Sequence, residues 1–397
     1  MLRILLFLLP LLLSAVELGI DRFFKDGYAE AIHGKRVGLV TNQTGVDSRL
    51  ETTVKCFHGT LSALFAPEHG IDGKVYAGIE VKDGKEKEIP IFSLHGKTRR
   101  PSQEMLKTVD VLVFDIQDIG VRPYTYATTL FYVMEEAAKL KIPVIVLDRP
   151  NPMGGLMIDG PMLEEGFRSF IGYINVPYCH GMTIGELALF FNTEYKINCT
   201  LTVVPMKGWK REMAFKDTGL VWIPPSPNIP ESDTPYYSST TGLLGELDLV
   251  NIGIGYTLPF KLVGAPWINA DQFAKTLNDQ KIGGVSFTPI HYKPFYGSLK
   301  GSDCHGVKIH ITTPSLYRPL VTQAFLIGIL KTLYPNEVEA KIKALSPEKL
   351  SLFNKAFGSD TAHKLLLNEK YLTWKLIEHH KEERETFLKK REKYLLY

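Results

Sequence analysis

Short apolar runs alternate with helix-like segments between residues 35 and 149 of the chain. The runs that predict β-strands are Arg36–Thr41, Leu61–Ala66, Ile89–Leu94, Val109–Asp115 and Ile142–Asp148. The helix-forming stretches between them lie near Ser48–Phe57, Ser102–Lys107 and Thr128–Leu140. The fourth run is apolar from Val111 to Phe114, which is typical of a strand covered on both faces. Strands and helices in alternation predict an α/β fold with a parallel sheet and right-handed crossovers.

The alternation loosens after Pro150, where turn-forming residues become frequent. Thr183–Asn192 reads as a capped helix, with Thr183 at its start and Glu186 three residues further on. Ile223–Pro235 is too rich in proline for regular structure and predicts a domain boundary. Beyond it the pattern predicts strands at Gly283–Thr288 and Val307–Thr312, and helices at Leu316–Leu333, Pro335–Leu345 and within Tyr371–Tyr397. We therefore predict one domain over residues 19–230 and a smaller one over residues 231–397.

The amino terminus has the pattern of a secretory signal peptide. Arg3 supplies a positive charge, Ile4–Leu13 is apolar apart from Pro10, and small residues follow before Glu17. A run of about ten apolar residues is too short to span a bilayer but suits the core of a signal peptide. The alternative, a buried core helix, fits poorly with a stretch at the extreme terminus. We predict a signal peptide over residues 1–18, export to the periplasm or the medium, and no stable membrane span afterwards.

Composition narrows the class of protein further. The chain has 397 residues, 45% of them hydrophobic, and a formal net charge of only +3. Lysine and arginine are scattered along it, so the sequence shows no electrostatic footprint for nucleic acid. The four cysteines are widely spaced without a C-x-x-C pair, which favours buried free thiols over disulfides or a zinc knuckle.

Polar clusters follow four of the predicted strands. These clusters are Thr41–Thr44, Pro67–Gly70, Asp115–Asp118 and Asp148–Asn151. Ligands of open parallel sheets bind beyond the carboxyl ends of the strands. A single Asp after a strand is commonly just a helix cap, but four such clusters at one edge favour a site. The long Gly- and Lys-rich loop Ile71–Glu88 is predicted to be a flap over it.

Glu68 and His69 are the sharpest candidates within this edge. A glutamate near apolar Phe65 and Ile71 would have its pKa raised by desolvation and would serve as a general acid. The alternative is a structural ion pair between Glu68 and an arginine such as Arg122. His69 could bond to a ligand, but no metal-ligand spacing such as H-E-x-x-H occurs, so no metal is predicted.

Other side chains suit a polar, carboxylated ligand. Arg122 would bind a carboxylate, while Tyr124 and Tyr126 would contact hydroxyls and sugar faces, unless they are half-buried packing residues. His180 is a further loop histidine, equally compatible with a structural role. The sequence contains no G-x-G-x-x-G after the first strand, no Walker A motif and no G-x-S-x-G elbow, so no cofactor is predicted.

A series of motifs resembles a known family. The stretches are Gly38–Gly45, Phe65–Gly70, Asp115–Asp118, Tyr124–Tyr126, Asp148–Pro152, His180–Thr183, Pro225–Asn228, Gly264–Trp267 and Tyr394–Tyr397. In this order, over nearly all of the chain after residue 18, they resemble the NamZ family of exo-β-N-acetylmuramidases. The resemblance implies a Rossmann-like amino-terminal domain, a smaller α/β carboxyl-terminal domain and a cleft between them. It also implies release of terminal N-acetylmuramic acid from peptidoglycan fragments outside the cytoplasm.

The same resemblance assigns roles to individual residues. The family's proposed catalytic glutamate corresponds to Glu68. The resemblance also implies that Arg122 or Arg149 would bind the lactyl carboxylate of the sugar. The chain departs from the family where members have Gly-Arg-Gly-Thr, because Ile254 replaces the arginine. A glutamate of the preceding family stretch is retained as Glu246.

These observations together predict a glycoside hydrolase with Glu68 as general acid or acid/base and Glu246 or Asp115 as second carboxylate. The predicted substrate-binding residues are Asn42, Gln43, His69, Gln117, Asp118, Arg122, Tyr124, Tyr126, Arg149, Asn151 and His180. Retaining, inverting and acetamido-assisted mechanisms all remain compatible with the sequence. Two other classes compete: a non-catalytic protein that binds sugar or peptidoglycan fragments, and a metal-dependent amidase or esterase using His69, Asp115 and His180.

Overall fold

The computed structural model describes residues 16–397, so the predicted signal peptide lies almost wholly outside the described residues. The strands are β1 (Val37–Thr41), β2 (Leu61–Ala66), β3 (Gly84–Glu86), β4 (Ile89–Ser93), β5 (Val111–Asp115), β6 (Val144–Leu147), β7 (Leu201–Val204), β8 (Leu262–Ala265), β9 (Val285–Tyr292) and β10 (Cys304–Ile311). The α-helices are α1 (Gly19–Lys25), α2 (Thr53–Cys56), α3 (Gln103–Leu106), α4 (Thr125–Lys139), α5 (Ile184–Glu194), α6 (Thr234–Glu246), α7 (Ala270–Asp279), α8 (Pro319–Leu333), α9 (Pro335–Lys343), α10 (Pro347–Phe357), α11 (Thr361–Asn368), α12 (Thr373–Glu378) and α13 (Lys381–Arg391).

The first domain is built on a seven-stranded sheet in the order β3-β4-β2-β1-β5-β6-β7. All neighbouring strands are parallel except β3 and β4. The predicted parallel sheet is thus confirmed. Sequence analysis missed β7, which extends the sheet beyond β6, and the short β3, which lies inside the predicted flap.

Both faces of this sheet are covered, which explains the unbroken apolar runs. On one face Ile20 and Phe23 of α1 belong to the same hydrophobic cluster as Leu39 of β1. On the other face α4 and α5 pack against Phe114 of β5 and Val146 of β6. Every residue of β1, β5 and β6 is buried as a result.

The second domain combines a three-stranded antiparallel sheet, in the order β8-β10-β9, with α6 to α12. Its buried apolar side chains form a cluster that also includes Ile119, Val121 and Tyr178 of the first domain and is separate from the two clusters that cover the first sheet. The helix α6 was not predicted, because it begins at the end of the proline-rich segment. Pro235 is tolerated there since the first turn of a helix does not need its backbone N–H as a donor.

The closing segment returns to the first domain. Phe387 of α13 and Tyr394 lie in the cluster formed with α4 and α5. The hydroxyl of Tyr397 donates to Asp148 Oδ2 at 2.6 Å and accepts from the backbone N–H of Met206 at 2.8 Å. The end of the chain therefore holds together the segments that follow β6 and β7.

The described residues also bear on the cysteines and on membrane spans. All four cysteines are free, and three of them are buried, as their spacing favoured. Across residues 16–397 we find no helix with both the length and the apolar character needed to cross a bilayer.

Candidate active site

Glu68 lies just beyond the carboxyl end of β2, where the backbone turns sharply. His69 and Gly70 have φ angles of 70° and 81°, so the chain reverses direction immediately after the glutamate. The carboxylate accepts hydrogen bonds from Thr125 Oγ1 at 2.6 Å and from the backbone N–H of Gly78 at 2.9 Å. Helix α4 and the flap thus fix the side chain, which keeps 9% of its surface exposed.

The pKa of Glu68 is lowered, contrary to the sequence-based expectation. Burial by itself raises this pKa, as predicted, but the hydrogen bonds from Thr125 and Gly78 stabilise the ionised form and outweigh it. His95 adds to the effect, with its Nε2 3.7 Å from Glu68 Oε1. The prediction of a raised pKa was wrong because sequence did not reveal these donors. At neutral pH the Glu68 side chain is therefore a carboxylate.

Glu246 supplies a second carboxyl to the same cavity from the other domain. It is the last residue of α6. Burial raises the pKa of Glu246, and the positive charge of Lys349 only partly opposes this effect. Lys349 itself is paired with Asp248, at 2.8 Å. The two cavity glutamates therefore have pKa values shifted in opposite directions.

The cavity has a volume of about 440 Å³ and lies between the two domains. From the first domain, Glu68, His69, Tyr76, Tyr124 and Thr125 line it. From the segment joining the domains and from the second domain come Ser226, Asn228, Glu246, Asn251, Ile254, Phe260 and Ser298. A mostly apolar wall with a few convergent polar groups is typical of a small-molecule site. The predicted cleft between the domains is present, and residues of the predicted flap form part of its lip.

His69 and Tyr124 are the predicted binding residues that reach this cavity. His69 Nδ1 donates to the carbonyl of Val75 at 2.7 Å, which fixes the ring against the flap. The Tyr124 ring packs edge-on against Tyr126, with ring centroids 4.8 Å apart. Tyr126 itself is 1% exposed and donates to the carbonyl of Pro225 at 2.6 Å, so it supports Tyr124 from behind.

Asp115 and Arg149 form an ion pair inside the first domain instead of facing the cavity. Arg149 Nε and Nη2 lie 2.6 and 2.9 Å from the two carboxylate oxygens of Asp115. Thr53 donates a further hydrogen bond to the same carboxylate. Asp115 has no exposed surface and Arg149 only 4%. The assignments of Asp115 as second catalytic carboxylate and of Arg149 as a substrate ligand are therefore corrected, since each satisfies the other.

Arg122 is also turned away from the cavity. Its guanidinium donates to the carbonyls of Pro161, Val176, Ala356 and Phe357 at 2.6–3.1 Å. Burial lowers its pKa to about 10. Neither the predicted carboxylate ligand nor the alternative ion pair with Glu68 is present, because Arg122 ties the first domain to the end of α10.

The remaining polar residues at the strand ends bind backbone atoms. Gln117 Nε2 donates to the carbonyls of Asp118 and Pro150, and Gln43 Nε2 donates to that of Pro224. Asn42 accepts from Thr44, and burial raises the pKa of Asp118 to about 7. The small void beside Thr44, Gln117 and Arg149 measures about 20 Å³, room for roughly one water molecule. A sugar does not fit there.

Asn151 and His180 belong to the same internal network. Asn151 bonds to the backbone of Met153 and Met182, at 3.0 Å each. His180 Nδ1 accepts from the N–H of Met182 at 3.2 Å, and burial lowers the pKa of His180 to about 3. Both residues hold the loop before α5, and neither reaches the cavity, so their assignment to substrate binding is corrected.

Both domains of the chain match a known protein family. Residues 37–233 match the amino-terminal domain of the exo-beta-N-acetylmuramidase NamZ family, and residues 236–397 match its carboxyl-terminal domain. The chain belongs to the NamZ family. The resemblance seen in the sequence is thereby confirmed, and the chain is a glycoside hydrolase.

Relatives of known sequence or structure cover almost the whole chain. The peptidoglycan beta-N-acetylmuramidase NamZ of Bacillus subtilis is 40% identical over 388 residues, which is 96% of this chain and 91% of the relative. A crystal structure of a DUF1343 family protein from Bacteroides fragilis has a TM-score of 0.90 at 39% identity and covers 96% of this chain and 99% of that one. A second such protein from the same organism has a TM-score of 0.74 at 27% identity, with coverages of 97% and 99%.

Two other classes were compatible with the sequence, a non-catalytic binding protein and a metal-dependent amidase or esterase. A hydrolase family does not support the non-catalytic alternative. The metal-dependent alternative required His69, Asp115 and His180 to converge, yet among residues 16–397 these three do not form a group with ligand spacing. Asp115 is bound to Arg149, and His180 is buried in the loop before α5.

Sequence reasoning missed several residues of the NamZ cavity. Thr125 was quoted only as part of a motif, yet its hydroxyl holds Glu68. Asn228 lies in the proline-rich segment, which we interpreted as a boundary, although this segment forms a cavity wall. His95 follows β4 as Glu68 follows β2, and pairing of Ala66 with Ser93 sets the two strand ends side by side. A systematic look at residues after every predicted strand would have found His95.

Proposed function

We propose that this enzyme releases N-acetylmuramic acid from the end of peptidoglycan fragments, with Glu68 and Glu246 as its catalytic carboxyls. The observation that carries the proposal is their placement, since each domain contributes one glutamate to a single cavity. The name of the Bacillus subtilis relative, a peptidoglycan beta-N-acetylmuramidase, supports the choice of substrate. Two carboxyl groups flanking the scissile bond are the usual machinery of glycoside hydrolysis.

The opposite pKa shifts favour a division of labour between the two glutamates. Burial raises the pKa of Glu246, which prepares this carboxyl to donate a proton to the leaving oxygen as the C1–O bond breaks. Glu68 is ionised in the free enzyme and is prepared to accept the proton of the attacking group. Glu68 thus acts as the general base for the attacking group, and Glu246 acts as the general acid for the leaving oxygen.

Two variants tested on two substrates examine this division. We expect Glu68→Gln to lower turnover by about 10²–10⁴-fold, both on a muramic acid disaccharide and on its nitrophenyl glycoside. Glu246→Gln should cause a loss of the same order on the disaccharide only, because a nitrophenolate leaves without needing a proton. Release of the free sugar measures the first substrate, and absorbance of nitrophenolate the second.

The control is Glu104→Gln, which removes an exposed carboxyl at the start of α3, remote from the cavity. This variant should match the wild type on both substrates, and all three variants should keep the wild-type circular dichroism spectrum. Full activity of a folded Glu68→Gln enzyme would contradict the proposal. Equal losses on both substrates in Glu246→Gln would remove the proton-donor role of that residue.

We also infer that the enzyme works outside the cytoplasm. The charged start, the apolar run Ile4–Leu13 and the small residues after it support export. Fractionation of cells that express the full chain should recover it from the periplasm or the medium. Recovery from the cytoplasm alone would count against export without touching the catalytic proposal.

A further inference from the structure

The cavity lacks a fixed positive charge. Among the described residues that line it there is no lysine and no arginine, while Glu68 and Glu246 contribute two carboxyl groups. The arginines expected to bind a substrate carboxylate are buried elsewhere, Arg149 on Asp115 and Arg122 on backbone carbonyls. Lys349, the cation that acts on Glu246, is paired with Asp248.

One part of the cavity wall presents an apolar side chain on a hydrogen-bonded turn. Ile254 lies on this wall between Gly253 and Gly255, whose φ angles are 84° and 86°. Asn251 fixes the turn, because its Nδ2 donates to the carbonyls of Ile254 and Ser298, at 2.9 Å each. The side chain at position 254 is thus presented to the cavity by a well-determined backbone.

This arrangement discriminates between charged and neutral ligands. The lactyl group of N-acetylmuramic acid is a carboxylate when free and a neutral amide when it carries a peptide. A free carboxylate here would lose water without gaining a cation and would lie in the same cavity as the ionised Glu68, both of which are unfavourable. A secondary amide has no charge to desolvate, and its polar atoms can bond to side chains such as Asn228 or Ser226.

We infer that the cavity selects a muramoyl residue whose lactyl carboxyl is in amide linkage, as in peptide-bearing fragments, over the free acid. This inference rests on the proposed function and names the substrate class of that same site. The cavity meets solvent at its lip, where Tyr76 borders it and is 70% exposed, so a substituent on the lactyl group would extend outwards there. Ile254 is assigned as the residue that determines this preference.

The test compares three nitrophenyl glycosides with the same leaving group. Their sugars are N-acetylmuramic acid, its lactyl N-methylamide, and N-acetylglucosamine, which has no lactyl group. We expect kcat/KM of the amide to exceed that of the free acid by about tenfold or more, since placing like charges together costs more than 1.4 kcal/mol. Assays near pH 8 keep histidine charge out of the comparison.

Variants at position 254 sharpen the result. Ile254→Arg should raise kcat/KM for the free acid by about tenfold and reduce or reverse the preference, because it provides the missing cation. Ile254→Leu is the matched control and should keep the wild-type preference. Ile254→Lys offers a second cation if the arginine variant does not fold.

Each outcome decides a separate statement. A free acid cleaved as fast as the amide by the wild type, or no response to Ile254→Arg, would overturn the inference. Faster cleavage of the N-acetylglucosamine glycoside than of the amide would overturn the assignment to a muramoyl residue. If none of the three is cleaved, the proposed function fails. Calorimetric binding of the free acid and the amide would still test the charge preference.

Discussion

Two regions of this molecule carry similar sequence signals but have different structures. One is the cavity between the domains, where Glu68 follows β2. The other is the network at the ends of β1, β5 and β6, where Asp115 and Arg149 follow their strands. In the network the charges of Asp115 and Arg149 match each other, and the void beside them measures about 20 Å³. In the cavity Glu68 accepts hydrogen bonds from the neutral donors Thr125 and Gly78, and it borders, with Glu246, a space of about 440 Å³.

Catalytic and structural polar residues at strand ends differ in what surrounds them. A cluster of polar side chains at strand ends is expected in both cases, since neighbouring parallel strands bring those ends together. What distinguishes the proposed catalytic region is a carboxyl without a lysine or arginine partner, next to an open volume. By that criterion the network stabilises the sheet edge, and the cavity is the proposed site of the reaction.

The largest expected effect lies in the network. Asp115→Asn leaves Arg149 buried without its counter-charge, so we expect the free energy of unfolding to fall by about 3–5 kcal/mol. Denaturant titration measures this loss, and the molecules that remain folded should keep their activity. Asp110→Asn is the control, because Asp110 pairs with Arg36 on the surface at the other end of the same sheet, where solvent screens the pair. Similar losses of unfolding free energy in both variants would show that the buried Asp115–Arg149 pair contributes no more than a surface pair.

The next effect sharpens the description of the cavity. Thr125→Val removes a donor to the Glu68 carboxylate, so the pKa of Glu68 should rise and unfolding at neutral pH should cost about 1.5–3 kcal/mol less. Since the ionised form of Glu68 is the active one in the proposed mechanism, the acid limb of kcat/KM should move to higher pH. The stability that the lowered pKa provides is present above the unfolded-state pKa and is lost as the pH falls through the folded-state value.

Thr125→Ser keeps the hydroxyl and should retain the wild-type profile. An acid limb that does not move in Thr125→Val would show that Glu68 does not control it.

The smallest expected effect is a loss of stability in the network. Tyr397→Phe removes the hydrogen bond from the chain end to Asp148 and should lower the free energy of unfolding by about 1 kcal/mol. Tyr397 does not line the cavity, so kcat and KM should stay unchanged. Tyr371→Phe, at a 69% exposed position, should alter neither stability nor activity. A change in kcat with Tyr397→Phe would mean that the two regions are coupled.

Much of the fold could be predicted because buried parallel strands have an unmistakable pattern. The runs ending at Thr41, Ala66 and Asp115 are apolar on both faces, and each forms its predicted strand. The short β3 was missed because its Gly-Lys-Glu sequence is exposed and resembles a loop. The helix α6 was missed because its first turn shares the prolines of the preceding segment.

The site was only partly predictable, for a physical reason. Sequence shows that Glu68, Asp115, Arg122 and Arg149 follow strands, but not which charges pair across the sheet. The Asp115–Arg149 pair joins residues 34 positions apart, and the lowered pKa of Glu68 depends on Thr125, 57 positions away. Local patterns therefore identified Glu68, while the direction of its pKa shift and the displacement of the arginines depended on tertiary contacts.

The most direct test of the central claim is a crystal structure of Glu68→Gln with an uncleaved muramic acid disaccharide. The account predicts that the sugar occupies the cavity between the domains, with the glycosidic oxygen within hydrogen-bond reach of Glu246 and C1 facing residue 68. A disaccharide bound at the strand ends near Arg149, or in the cavity with its glycosidic bond beyond the reach of both residues, would contradict it.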